Sequence, residues 1–374
     1  MEYFFVKEEY KVKLEKISTI TQVPFPKTFN QKDFPDEIRN HIKENILNSL
    51  TYTYNFLGRN VNIKFITEDA NIENNLETYN TYINNILAWL YVANEYANKK
   101  CAKDLTIYLY LTSQTKTLPL NKIDILGQPH INSAFTYSCP VTGEIIIFRE
   151  EEWFKVLIHE TFHNYGLDFS EMHNSLKKCN EKILSIFQIK SVVNLYEAYT
   201  ETWAEILNCS FCAFHLIKNK EDHEEFITST NLLISFEILY SFFQMVKVLD
   251  YMGLTYNNLY SGSSTAKSLR ETLYKENTSV LSYYVIKTIL LSNYQQFLKW
   301  CDINNLSLLQ FKKTNSNVDK FCDFIVKKHK TKNFTSNVKK AQEQLHDLDK
   351  NKQISSTNKQ LLLNNLRMTL CEMK

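Results

Sequence analysis

The sequence predicts an α+β fold in which a small mixed β-sheet with a backing helix precedes a mostly α-helical C-terminal subdomain. Three observations carry this. Two strand-like runs flank one long helical stretch, a second pair of strand-like runs is joined by a turn, and beyond Ser170 almost every segment carries a helical repeat.

Taken in order, Tyr3 to Lys16 mixes short apolar and charged runs and reads as an N-terminal strand or arm. Asp36 to Phe56 reads as a helix, with Ile38, Ile42, Ile46, Leu47 and Leu50 on one face and Gly58 just past its end. Val61 to Ile66 alternates as a strand, Asn75 to Lys99 is the next helix, and Leu105 to Leu111, rich in Ile, Tyr and Leu, the next strand. Ala134 to Tyr137 and Glu144 to Phe148 form a hairpin closed by Ser138-Cys139-Pro140-Val141-Thr142-Gly143. An apolar helix opens at Trp153. Further helices are expected at Met172 to Gln188, Val192 to Ile217, Asp222 to Tyr251, Ala266 to Tyr274 and Val280 to Trp300. The segment Met252 to Ser264, with two glycines and a serine cluster, reads as an internal linker or cleft loop. The chain so divides into 1–58 (arm and helix), 59–169 (α/β subdomain), 170–311 (helical subdomain) and 312–374 (basic helical segment).

The chemistry concentrates in His159, Glu160, Thr161, Phe162 and His163, an HExxH element. On a helix, histidines four apart stack on one face and can converge on one ion, with the Glu160 carboxylate beside it. Core histidines are commonly satisfied by carbonyls alone. Here two histidines and a glutamate would be buried together among Phe154, Val156, Leu157, Ile158, Phe162 and Tyr165. An unpaired buried carboxylate costs several kcal/mol, so a divalent cation is the simplest compensation.

Catalytic zinc takes three protein ligands and keeps a fourth position for water. From Ser191 to Ile217 the chain has three glutamates and no Lys or Arg. Glu197, Glu201 and Glu205 recur every four residues, a like-charge column that costs about 0.2–0.5 kcal/mol per adjacent pair on a helix.

The HExxH helix followed by Glu201-Thr202-Trp203-Ala204-Glu205 resembles the gluzincin branch of zinc metallopeptidases. That resemblance implies a zincin-like fold over roughly Val61 to Ile217, Zn2+ held by His159, His163 and Glu201, close helix packing at Ala204, and Glu205 orienting a zinc histidine. Glu197 and Glu201 also fit a ligand-then-acid pattern four residues apart, so Glu197 is the alternative ligand. His159 to Gly166 also matches the opening of the metzincin motif, but Phe169 stands where its third ligand should be and Asp168 is one residue off; a methionine turn could be sought at Met252. Gly166 reads better as a left-handed helix end. The family implies a peptide or protein substrate paired along an edge strand, for which Ser133 to Tyr137 is the choice here. Glu160 would be the general base of a zinc-dependent metallopeptidase. An oxyanion donor would come from among His215, His223, Tyr256, Tyr283 and Tyr284. The rival readings are a catalytically silent zincin-fold structural or interaction protein, such as a virion component, and a zinc hydrolase of a non-peptide amide.

Composition bounds the setting. Hydrophobic residues make up 44%, and no run reads as long enough to span a bilayer, so no membrane is expected. The acidic N-terminus lacks the basic start of a signal peptide. Eight scattered cysteines suit reduced thiols in a cytoplasmic compartment, and the Cys209/Cys212 CxxC reads as two buried helix residues. Between Lys312 and Lys374 fourteen Lys or Arg face six Asp or Glu, within a chain of net charge +2. This basic segment suits an acidic partner; no motif accompanies it that would read nucleic acid. Only 6 Gly and 6 Pro, in a chain crowded with Asn, Lys, Ile, Tyr and Phe, resemble, with the HETFHNYGLDFS stretch, uncharacterised metallopeptidases of large DNA viruses, which implies host cytoplasm or virion.

Overall fold

The structure, a computed structural model, describes residues 10–350 and 355–373. The described residues form two compact units: 10–115, 132–168 and 307–310 make the first, and 116–131, 169–306, 311–350 and 355–373 the second. The mixed sheet and numerous helices make this an α+β protein, as expected.

The first unit is built on a six-stranded sheet. β1 (Tyr10–Lys16) pairs antiparallel with β2 (Asn48–Phe56), and β2 with β3 (Arg59–Thr67). Residues 3–9 of the expected N-terminal strand lie outside the described residues. Before β2 comes the helix α1 (Asp36–Asn45), and after β3 come α2 (Leu76–Tyr96) and β4 (Asp104–Thr112), which lies parallel to β3. The next segment, with the two-residue β5 (Leu126–Gly127) and the one-turn α3 (Gln128–Ile131), belongs to the second unit. The sheet is completed by the antiparallel hairpin β6 (Ala134–Thr136) and β7 (Thr142–Arg149), with β7 parallel to β4 and β6 at the edge. The edge position expected for Ser133 to Tyr137 is therefore where β6 lies.

The helix expected from Asp36 to Phe56 is corrected: it stops at Asn45, and Asn48 onward is strand. Leu50, Tyr52, Tyr54 and Phe56 are buried, while Thr53 and Asn55 between them are exposed, the two-residue period of a strand. Leu57 and Gly58 both have positive φ (51° and 76°) and close a two-residue hairpin, not a helix end.

Both sheet faces are covered. Val61, Ile63, Phe65, Leu105, Ile107, Leu109, Ile145 and Ile147 are fully buried on one face, where Phe65 meets Tyr79 of α2 with ring centroids 5.0 Å apart. Ile66, Tyr108, Tyr110, Ile146 and Phe148 face the other way and pack in a cluster with Ile38 and Ile42 of α1 and with Phe34. Burial on two sides explains why β4 and β7 read as near-continuous apolar runs.

The second unit is helical: α5 (His173–Ile186), α6 (Leu195–Leu216), α7 (His223–Tyr251), α8 (Tyr256–Tyr260), α9 (Ser264–Leu273), a π-helical turn at Leu281–Ile286 continuing into α10 (Lys287–Leu291), then α11 (Tyr294–Asn304), α12 (Asn315–Lys328), α13 (Lys332–Lys350) and α14 (Ser356–Asn364). Its β5 pairs in parallel with β8 (Glu276–Asn277). An aromatic cluster of Phe169, Tyr199, Phe311 and Phe321 anchors α6, with centroid separations of 4.2–5.7 Å from Phe169.

Two further expectations change here. Met252 to Ser264 is no linker: it holds α8, Leu254, Tyr256 and Leu259 are buried, and the buried Arg270 guanidinium donates to the carbonyls of Asn258 and Ser261. Met252 is itself buried, as a core methionine. The absence of any run suited to a bilayer also fails for α7, which is long and apolar enough by length and composition. Its buried face carries Glu237, Gln244 and Lys247, and the Lys247 ammonium donates to the Leu362 and Asn365 carbonyls, so within its unit α7 packs as a core helix.

Candidate metal centre

His159, Glu160 and His163 sit on α4 (Trp153–Asn164), all twelve of whose residues are buried. Trp89 of α2 stacks on Phe162, and Tyr82 lies against Trp153, so one side of α4 is fixed by aromatic packing. Its C-terminal end approaches the sheet so closely that a Cβ on Gly143 would stand 2.5 Å from Asn164 Oδ1. A larger residue there would have to displace the Asn164 amide, which donates to Thr136 Oγ1.

The two motif histidines turn the same nitrogen toward one point. Their Nε2 atoms are 3.1 Å apart, and their rings are nearly perpendicular at 77°. Two imidazoles each about 2.0–2.1 Å from a shared tetrahedral ion have nitrogens roughly 3.3–3.4 Å apart, so this spacing is close to that of a chelating pair. Without a cation or a shared proton, the facing lone pairs would repel.

His163 is oriented from behind. Its Nδ1 makes a very short contact with Asp168 Oδ2, and Asp168 is fully buried. A ring proton at Nδ1, donated to Asp168, would turn the Nε2 lone pair of a neutral His163 toward His159. The chain reaches this geometry through the helix end. Tyr165 caps α4, Gly166 takes φ of 66°, the Gly166 amide donates to the His163 carbonyl and the Leu167 amide to the Phe162 carbonyl. That is a Schellman turn. It folds the chain back so that the residue two past the glycine meets the histidine. The left-handed helix end expected at Gly166 is found, whereas Asp168, set aside in the sequence as a misplaced ligand, works as an orienting acid. Asp168→Asn should lower zinc affinity about 10–100-fold at little change of side-chain volume; a zinc titration against a chromogenic chelator reads this directly, and unchanged affinity would refute the role.

The same turn carries a disulfide. Cys101 and Cys139 are bonded, a Cβ on Gly166 would lie 3.2 Å from Cys101 Sγ, and the Cys139 amide donates to the His163 carbonyl. The expectation that all the cysteines are free thiols is corrected for this pair; a separation of 38 residues hid it from the sequence. Arg59 braces the region, with its guanidinium 4.4 Å from the Tyr165 ring centroid and a bond to the Ala102 carbonyl.

The glutamate column lies on α6 of the second unit. Glu201 and Glu205 are buried and Glu197 is partly exposed. The column is less bare than its own segment suggests. Lys287 Nζ lies 2.6 Å from Glu205 Oε1, both side chains are buried, and the ammonium also donates to Ser241 Oγ. Glu205, expected from the resemblance to orient a zinc histidine, has Lys287 as an ionic partner. The Tyr283 hydroxyl donates to Glu197 Oε2 at 2.9 Å. Tyr283 sits in the π-helical turn, a rare irregularity that frequently marks functional positions.

The other oxyanion candidates fare differently. Tyr256 and Tyr284 are buried and donate to the backbone carbonyls of His329 and Leu366, as core tyrosines do. His223 is exposed at the start of α7, and His215 lies in the last turn of α6.

No family model matches the chain, and no solved structure matches it. An uncharacterized protein of Acanthamoeba polyphaga mimivirus is 25% identical over 285 residues, which cover 70% of this chain and 67% of that relative. The chain is similar to a viral protein.

Proposed function

We propose that the protein is a zinc-dependent metallopeptidase of zincin type. The observation that carries this is the converging Nε2 pair of His159 and His163, 3.1 Å apart, with His163 set by Asp168. An imidazole pair oriented by a buried carboxylate is what a metal needs, and a structural histidine pair does not.

The third ligand in this reading comes from α6. The Glu201 assignment needs Glu205 as the acid four residues on, and Glu205 is ion-paired with Lys287. The Glu197 assignment has Glu201 four residues on, and Tyr283 to hold the Glu197 carboxylate. We therefore take Glu197 as ligand, with Glu201 as the orienting acid. In this reading His159, His163 and Glu197 would supply two imidazoles and one carboxylate, the donor set of a catalytic zinc with one open position.

Zinc, when bound, supplies a Lewis acid and lowers the pKa of a water near it. Glu160, on the same turn of α4 as the two histidines, takes the proton of the attacking water and passes it to the leaving amine. The substrate in this proposal is an extended peptide added to the edge strand β6, whose outer side has no partner strand among the described residues.

The test is metal content with turnover. The purified chain should carry one zinc per chain by mass spectrometry and hydrolyse peptides, lose hydrolysis with a chelator, and regain it when zinc returns. Absence of stoichiometric zinc would end the proposal, and zinc without turnover would leave only a zinc-binding scaffold.

A further inference from the structure

The cysteines that looked scattered in the sequence stand mostly in pairs. Besides Cys101 and Cys139, Cys179 on α5 and Cys322 on α12 meet across the helix pair, with Cys322 Sγ 3.5 Å from the Cys179 carbonyl. Both residues are buried. Their register is set by contacts outside them: Ser175 with Asn315, Lys178 with Asp319 and Lys182 with Asp323. Partner numbers rise together, so the two helices run parallel, and between these contacts the Cys179 thiol donates to the Val318 carbonyl and the Cys322 thiol to the Cys179 carbonyl.

A second pair joins α6 to the C-terminal segment. The sulfurs of Cys209 and Cys371 and a Glu237 oxygen lie within 4.8 Å of one another. Glu237 is fully buried and accepts from the Leu370 amide, the Cys371 amide at 2.7 Å and the Thr369 hydroxyl. Its oxygens are thereby engaged in pinning the C-terminal segment, which leaves two facing thiols more than a three-ligand metal set.

We propose that Cys179–Cys322 and Cys209–Cys371 are disulfide pairs, closed as the second unit folds in the presence of an oxidised low-molecular-weight disulfide such as oxidised glutathione. In each pair one thiolate attacks the small disulfide, forming a mixed disulfide and releasing one small thiol. The partner thiolate then attacks the protein sulfur of that mixed bond, the protein S–S bond forms, and the second small thiol leaves. Two protein thiols lose two protons and two electrons, and the small disulfide becomes two thiols. The neighbouring Cys322 and burial push the Cys179 thiol well above its ordinary range, so the reaction belongs to folding or local opening and not to the closed native state.

The experiment refolds the full chain from reduced denaturant in a glutathione redox mixture, quenches it with acid, alkylates it and maps linked peptides without reduction. The expected result is three linkages, 101–139, 179–322 and 209–371, with Cys212 and Cys301 alkylated, and a higher urea midpoint than the reduced chain. A Cys212→Ser chain should keep the 209–371 linkage. Should refolding yield fail, the native chain held with oxidised glutathione in urea just below its unfolding midpoint must give the same map. Linkage limited to 101–139, or Cys371 joined to Cys212, overturns the proposal.

Discussion

Glu160→Gln is expected to leave zinc bound while peptide hydrolysis falls about 10²–10⁴-fold, roughly 3–5 kcal/mol of transition-state free energy. The amide has the carboxylate's size, so the nearly closed environment of residue 160, 8% exposed, keeps its packing. It cannot take the water's proton. In the proposed reading the substrate is held at the sheet edge and Glu160 acts on the water, so the loss should fall on kcat with KM little changed. Paired measurements of bound zinc and of steady-state peptide hydrolysis decide it. Full activity in a zinc-loaded Glu160→Gln chain would remove Glu160 from the mechanism, whereas loss of zinc as well would mean that the substitution disturbs the centre and not only the proton transfer.

Lys287→Ala should cost about 3–5 kcal/mol of stability, because it leaves the Glu205 carboxylate charged and buried without its cation. The lysine and glutamate side chains are 1% and 0% exposed, so water cannot replace the ammonium without opening the packing of α6, α7 and α10. Ser241 Oγ and the Met368 carbonyl would lose a donor in the same step. Adding Glu205→Leu to Lys287→Met should restore much of the loss, since a buried pair replaced by apolar residues of similar volume is often neutral. Urea unfolding of the single and double variants reads both. If Lys287→Ala unfolds at the parent's midpoint, the pair is not structural.

The parts legible in the sequence were those set by nearest neighbours along the chain. The HExxH spacing, the left-handed turn at Gly166 and the hairpin of β6 and β7 depend on residues within a turn or two of each other, and all three are found. The misreading of Asn48 to Phe56 arose where Ile46, Leu47 and Leu50 prolong a helical spacing by chance, while the alternation of Leu50, Tyr52, Tyr54 and Phe56 starts inside the same window. What could not be read was partnership at a distance. Lys287 is 82 residues from Glu205, and Cys139 is 38 from Cys101. Asp168 lay close enough to be found; its signal was the helix-ending glycine two residues before it, a turn that returns the chain to the last histidine.

The placement of β5 has a consequence for the order in which the chain is made. Leu126 pairs with Glu276, 150 residues later, so this short strand leaves the ribosome long before its partner exists. At a synthesis rate of about 5–20 residues per second the wait is roughly 8–30 s. The sheet of the first unit needs only the chain up to Arg149, and can close while Leu126 and Gly127 are still unpaired and the neighbouring Leu120, Ile123 and Ile125 are open to solvent. A nascent chain that has released Arg149 from the ribosome but not yet Glu276 would thus present a finished sheet together with an unpaired apolar loop, a natural point for chaperone engagement during translation.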